Sequence, residues 1–353
     1  LLSVEVHDPL SGPGLDIDNS GLSRDGEILI DDLRIDLNSS GYAIELEDVN
    51  AVIGGLDLSG NNGGVYWRAG DDYTSSLSSS TISGIGGTCF DLVDHTELLV
   101  HNLGLACSTG SRPSIESSFV NLTDSGFISG SAHETTFHLE ASSHVRWISS
   151  GSISDPSFGA SDSILDIMWF IEAHAINQLA RHIPLAEVNI SFESWESEES
   201  TSLPYRGFET LGPFVGTRWI PSQGWSPDNS AYVGCDYDGI HNDTAAVTLD
   251  ADLVVYCRLD LSNQPPFIIW TTPEDEAEYP SGSSVILDAA ASWDLDDDPL
   301  TFTWTSSLDG DLHASCFGTL PAGNNGSYFV TNNPPETADG CLSDGEQEIT
   351  LEV

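Results

Sequence analysis

The chain has 353 residues, with 56 Asp and Glu against nine arginines and no lysine, for a formal charge of −47. So negative a surface repels phosphate backbones and anionic lipid, which makes nucleic acid and membranes poor partners, since binding either needs clustered Lys and Arg. The missing lysine also excludes Schiff-base chemistry, a lysine general base and Lys–Asn isopeptide cross-links. The remaining character suits salt water, divalent cations and neutral or cationic ligands, and adaptation to a saline habitat explains the charge equally well.

The length allows two or three domains, and 39% hydrophobic residues support a folded chain. No run approaches a membrane span, and the opening Leu1-Leu2-Ser3-Val4-Glu5-Val6 lacks a basic n-region, so neither anchor nor signal peptide is expected. The cysteines form three local couples, Cys89/Cys107, Cys235/Cys257 and Cys316/Cys341. One disulfide per domain is the expectation, each closing a loop of roughly 20 residues and stabilising by about 3 kcal/mol. The couples lack CxxC spacing, which argues against zinc or redox chemistry. Asn-x-Ser/Thr sequons stand at Asn38, Asn121, Asn189, Asn242 and Asn325, a pattern that also arises by chance in a Ser-rich chain. Disulfides and sequons together place the chain outside the cell or on its surface.

Taken in chain order, the first feature runs from Asp16 to Glu27. Asp16, Asp18, Ser20, a Gly at 21 and Glu27 match the spacing of a twelve-residue calcium loop. The flanks are wrong for a helical hand, since Ser11-Gly12-Pro13-Gly14 precedes and Ile28-Leu29-Ile30 follows in strand-like fashion. The readings are a helix-free Ca2+ loop or an acidic turn.

Short apolar runs then recur every 20 to 25 residues or so between Gly/Ser/Asn/Asp clusters, starting at Tyr42, Val65, Cys89 and Thr136. Each unit continues through a second run, such as Ala51-Val52-Ile53 or Val145-Arg146-Trp147. Three short strands cannot form a core alone, but stacked coils bury one apolar column. Over about residues 26–157 this periodicity resembles the right-handed parallel β-helix of the pectate-lyase-like superfamily; a many-stranded β-sandwich is the rival. Stacking would let Cys89 and Cys107 bridge adjacent turns and would gather Asp71, Asp72 and Asp94 on one face. Gly70-Asp71-Asp72 resembles the acidic pair of polygalacturonase-like β-helix glycosidases, which implies general acid and base roles. The family's Asn-Thr-Asp, Gly-His-Gly and Arg-Ile-Lys motifs are missing, and solvated or calcium-binding carboxylates are the alternative.

From Ile164 the chain is at its most apolar. Ile164, Ile167, Ile171, Ala175 and Leu179 line a helical face, whereas Ile167, Trp169, Ile171, Ala173 and Ala175 line one side of a strand. Pro184-Leu185-Ala186-Glu187-Val188 resembles the second strand of carboxypeptidase-regulatory-like and transthyretin-like sandwiches, which favours the strand, although that family's turn glycine is replaced by Ala180-Arg181-His182. After the stiff Asn263-Gln264-Pro265-Pro266 linker, Ser292-Trp293-Asp294 through Trp304 is similar to PKD-like and immunoglobulin-like surface domains, whose core tryptophan Trp304 matches. Asp294, Asp296 and Asp298 alternate along a turn, where a Ca2+ ion would relieve their repulsion; a solvated turn is the alternative. Gln347 to Val353 resembles that domain's penultimate strand, so either the chain continues or a neighbour's strand completes the edge.

The expected fold is therefore all-β: a parallel β-helix over 1–160, a carboxypeptidase-regulatory-like β-sandwich over 161–262, and a PKD-like/Ig-like β-sandwich over 263–353. The expected function is a non-enzymatic structural or adhesive protein, a calcium-stabilised subunit of a filament, sheath or surface layer that self-associates and can bind glycans. No catalytic set stands out; His133, His138 and His144 fall on separate coil positions. The alternative is a secreted polysaccharide-degrading enzyme using Asp71, Asp72 and Asp94, with Tyr66, Trp67 and Trp147 either stacking sugars or buried in the coils.

Overall fold

A computed structural model describes residues 5–7, 15–18, 27–37, 42–60, 64–69, 75–85, 89–108, 111–128, 136–154, 156–193, 199–221, 224–225, 229–280, 283–312, 327–331, 342–343 and 345–353. Regular structure there is β-strand, and the first half is a β-solenoid of about 5 turns. One wall is a parallel sheet of seven strands: β2 (Leu15–Asp18), β5 (Ile44–Glu47), β8 (Val65–Arg68), β10 (Phe90–Val93), β12 (Ser114–Glu116), β15 (His138–Glu140) and β17 (Ser157–Phe158). The other walls belong to one large sheet. It contains β1 (Glu5–His7), β3 (Glu27–Asp31), β4 (Arg34–Leu37), β6 (Asn50–Gly54), β7 (Asp57–Gly60), β9 (Ser75–Ile85), β11 (Leu98–Cys107), β13 (Phe119–Thr123), β14 (Gly126–Phe127) and β16 (His144–Ile148).

Alternation dictates the packing. Ile44, Leu46, Val65, Trp67, Phe90, Leu92, Ile115 and Leu139 face inward, fully buried, in a core that runs from Leu33 to Leu165. Neighbouring coils approach so closely at Gly64 that a Cβ there would lie 1.6 Å from the Cys89 carbonyl oxygen, so no larger residue fits. The bends between walls set Asp32, Asp48, Ser79, Asp94, Asn102, Ser117, Asp124, Ser142 and Ser149 at φ between 44° and 59°. Asp, Asn and Ser tolerate this left-handed region because their short polar side chains bond locally. The residue after each bend turns inward: Leu33, Val49, Ser80, His95, Leu103, Ser118, Ser125, Ser143 and Ser150 are all buried.

Where that inward residue is serine, its hydroxyl links coils. Ser80 Oγ accepts the Leu56 amide (3.1 Å) and Ser118 Oγ the His95 amide (3.0 Å). Ser125 Oγ accepts the Leu103 amide and Ser150 Oγ the Ser125 amide. The same hydroxyls donate to a carbonyl two residues back, as Ser118 does to Glu116 at 2.6 Å. Backbone groups that leave the ladder at the bends are thereby satisfied inside the core.

The Cys89–Cys107 disulfide spans 18 residues, from the start of β10 to the end of β11, and both cysteines are fully buried. It therefore clamps one coil across its interior instead of bridging adjacent turns, because the coil itself is longer than the cysteine spacing. Cys235–Cys257 also forms; Cys316 and Cys341 lie outside the described residues.

The Ile164 stretch is a strand throughout: β18 (Ile164–Ile176) spans 13 residues. Its first part pairs in parallel with β16 and closes the solenoid core at Leu165. β21 (Phe208–Ile220) pairs antiparallel with it from Leu165 to His174, β26 (Leu253–Arg258) pairs in parallel with its later part, and Ile171, Ala173 and Ala175 enter a second core. β22 (Gly224–Trp225) extends that sheet. Facing it are β19 (Glu187–Phe192), β20 (Glu199–Ser202), β23 (Ser230–Tyr237), β24 (Ile240–Asp243) and β25 (Val247–Thr248), which contribute Val188, Ile190, Ala231 and Val233 to the same core. The Cys235–Cys257 bond ties β23 to β26 across it.

A third core gathers Val285, Leu287, Phe302 and Trp304, with Trp304 fully buried against Trp270. It is flanked by β27 (Ser284–Asp288) paired with β30 (Ser327–Thr331), and by β28 (Thr303–Ser306) between β29 (Gly310–Asp311) and β31 (Ile349–Glu352).

Candidate functional site

The outer face of the seven-stranded sheet brings chemistry together. Parallel registry stacks Glu45, Tyr66, Asp91, Ser114, His138 and Ser157 in one outward column, each about 4.8 Å from the next. Beside it runs a second column with Arg68, Val93, Glu116 and Glu140. Apolar residues between these positions point into the core, so the strand alternation that builds the solenoid also projects the columns.

At the middle of the face, Tyr42 donates its hydroxyl hydrogen to Asp91 Oδ2 at 2.5 Å, and its ring lies 5.4 Å from that of Tyr66. Asp91 Oδ1 is buried without a hydrogen-bond partner. Burial pushes the Asp91 carboxyl above its ordinary value; the Tyr42 bond opposes this and Glu140 adds to it. Burial raises the Tyr66 phenol too, with Arg68 opposing and the surrounding carboxylates assisting. Arg68 is held by Asp48 (2.9 Å) and Glu47 (3.7 Å). At the far end, His138 Nδ1 lies 2.7 Å from Ser157 Oγ and its Nε2 2.7 Å from Glu140 Oε1.

Two further polar clusters lie near β18. Asp166, 1% exposed, accepts Arg218 Nε at 2.5 Å and Nη2 at 2.7 Å, and sits 2.7 Å from His144 Nε2. Burial alone would raise its carboxyl, but the His144 and Arg218 hydrogen bonds outweigh it and hold the group below its ordinary value. His174 bridges Glu172 (2.6 Å) and His182 (2.8 Å) between the rings of Phe208 and Tyr256. Burial, then His174, lowers the His182 pKa.

The residues singled out by sequence are placed differently. Asp71 and Asp72 lie outside the described residues, and Asp94 is an exposed bend residue with φ 59°. Trp67 and Trp147 are core residues, whereas Tyr66 is half-buried on the outer face. Asp16 and Asp18 belong to β2, paired with Glu45 and Glu47, and Glu27 opens β3; Ser20 and the side chains of Asp16, Asp18 and Glu27 lie outside the described residues.

Asp294 Oδ1 accepts the Asp296 amide (2.7 Å) and the Asp298 amide (3.2 Å), folding the turn back on its own first carboxylate. Asp296 accepts the Gln264 amide at 2.6 Å, Asp297 at φ 68° pairs with Arg181, and Asn177 Nδ2 donates to the Leu295 carbonyl at 2.7 Å. The turn thus docks against residues 177–181, after β18. Among the described residues no group of three or more His, Cys, Asp or Glu is placed to hold a metal ion.

Of the sequons, Asn242 is exposed, while Asn121 and Asn189 sit half-buried in strands with their amides on Glu97 and Asp236. Asn38 and Asn325 lie outside the described residues, as does His133. His138 and His144 occupy different walls, as their coil positions imply. Sequence reading missed Asp91, His138 with Ser157, and His174 with His182. The usable signal was one-coil spacing between outward positions, 19 residues from His138 to Ser157.

No protein-family model matches the chain, and no curated protein matches it significantly. Fold and site together define an all-β, disulfide-bonded β-solenoid protein with a polar, partly aromatic outer face.

Proposed function

We propose that the chain is an extracellular structural and adhesive protein, a subunit of a surface filament, sheath or layer, whose outer solenoid face binds glycan. The observation that carries this reading is β18, one strand shared by two cores with no linker between them. A joint of that kind transmits load and resists bending better than a flexible tether. The two disulfides suit an oxidising compartment, and among the described residues no helix is long and apolar enough to cross a membrane.

In this proposal the solenoid is a right-handed pectate-lyase-like β-helix, followed by carboxypeptidase-regulatory-like and PKD-like sandwiches. Ca2+, held by acidic residues of the Asp16 to Glu27 segment or between neighbouring copies, screens the −47 charge. Tyr42 and Tyr66 offer ring faces to sugar, with Asp91 and Ser114 as hydrogen-bonding partners. Glycan-array binding tests the adhesive part: Tyr66→Ala is expected to weaken retained binding at least tenfold, and unchanged binding would remove the face from the proposal. A second reading, polysaccharide cleavage, is favoured by one observation, the raised and half-unpartnered Asp91 carboxyl. Loss of cleavage in Asp91→Asn would support it.

A further inference from the structure

We propose that Ser157, His138 and Glu140 form an ester-hydrolysing triad on the last coil of the solenoid, acting on short neutral acyl esters. This goes beyond the structural reading above and stands or falls independently of it. The contacts run nucleophile to base to orienting carboxylate, Ser157 Oγ to His138 Nδ1 and His138 Nε2 to Glu140 Oε1, each 2.7 Å. Such a set is recognised by geometry and role, whatever the chain order. Glu140 as a carboxylate can only accept, so it selects the tautomer with hydrogen on Nε2 and the Nδ1 lone pair toward Ser157.

The fold fixes all three positions. β15 sends His138 and Glu140 outward on either side of the buried Leu139, and β17 places Ser157 opposite His138. Gly159 leaves Glu140 its space, since a Cβ there would lie 3.0 Å from Glu140 Cγ. The Ser157 and Gly159 amides donate to Phe137 and Leu139 carbonyls. In a parallel ladder the intervening amide, that of Phe158, faces the opposite side, and β17 is the last strand of its sheet. The N–H following the nucleophile therefore lies at the sheet rim, where it can meet a carbonyl oxygen as negative charge develops.

His138 and Glu140 are 32% and 44% exposed, an open face that suits an acetyl-sized group on an alcohol left in solvent. Glu116, beside Glu140 in register, disfavours anionic esters. Ser157 Oγ attacks the acyl carbon as its proton passes to His138 Nδ1. The bond to the alcohol oxygen breaks and that oxygen takes the proton from Nδ1, leaving acyl-Ser157. Water then attacks, gives a proton to Nδ1, and the carboxylic acid departs as Ser157 Oγ recovers that proton.

The test uses the whole chain with p-nitrophenyl acetate, and a fluorophosphonate probe mapped by peptide mass. The expected result is label on Ser157 and a fall in kcat of about 100-fold or more in both Ser157→Ala and His138→Gln. Glu140→Gln, a positioning change, should lower kcat with KM little altered; a merely structural Glu140 would move neither. Probe absent from Ser157, or Ser157→Ala hydrolysing at the wild-type rate, overturns the proposal. Labelling of the unmutated chain gives the answer even if a variant misfolds.

Discussion

His95 makes the solenoid acid-sensitive in a way that can be calculated. It is 1% exposed, packed edge-on against Trp67 at 5.0 Å, with Nε2 3.1 Å from the Trp67 carbonyl and Nδ1 buried without a partner. Burial lowers its pKa from 6.5 to about 4, against the opposing Trp67 hydrogen bond. A folded value below the unfolded one means that the fold favours the neutral ring. The stability this protects is therefore complete above pH 6.5 and is lost progressively as pH falls from 6.5 towards 4. At about 1.4 kcal/mol per pH unit, the loss is about 2 kcal/mol at pH 5 and about 3 kcal/mol below pH 4. Gln in place of His95 keeps a donor near the Trp67 carbonyl but cannot titrate. Urea unfolding of His95→Gln and of the parent at pH 7.5, 6, 5 and 4.5 isolates the contribution as the difference between the two pH slopes. A convergence of the two curves by about 2 kcal/mol from pH 7.5 to pH 5 is expected; parallel curves would refute a buried, neutral His95.

Other perturbations follow from the same packing. Arg218→Ala leaves Asp166 buried and half-paired, and should cost about 3–5 kcal/mol in chemical unfolding. Because the Asp166 pKa is depressed in the fold, its stabilisation is present above the unfolded value of 3.8 and is lost as pH falls through the lower folded value; acid unfolding should begin at higher pH in that variant. Replacing Cys89 and Cys107 by Ser opens an 18-residue span and should lower stability by about 3 kcal/mol, read from thermal melting. Ser125→Ala removes the acceptor of the Leu103 amide and should cost about 1–3 kcal/mol as a buried donor is orphaned.

Much of the solenoid was legible because its signal is local. Alternation at Val65-Tyr66-Trp67-Arg68 and Phe90-Asp91-Leu92-Val93 sets both the wall and its core side chains, and repetition of such runs implies stacking. Ile164 to Ile176 reads as strand because Ile171, Ala173 and Ala175 share one buried side. The site was poorly legible because it lies across coils. Asp94 carries an acid's signal in the sequence, and a left-handed bend also selects Asp there for conformation. Asp91 looks like any solvated acid until Tyr42 closes over it from 49 residues away. Asp294, Asp296 and Asp298 have a cation's spacing, and the fold gives Asp294 the amides of Asp296 and Asp298 and gives Asp296 the amides of Gln264 and Gln178. Likewise the cysteine spacing gave the right pair but the wrong span, since coil length is set by loops that sequence does not measure.

The structural proposal is tested most directly by electron microscopy of the purified chain in millimolar calcium and again after chelation. Filaments or sheets that loosen when calcium is removed are the predicted result. Dispersed single particles under both conditions would contradict it.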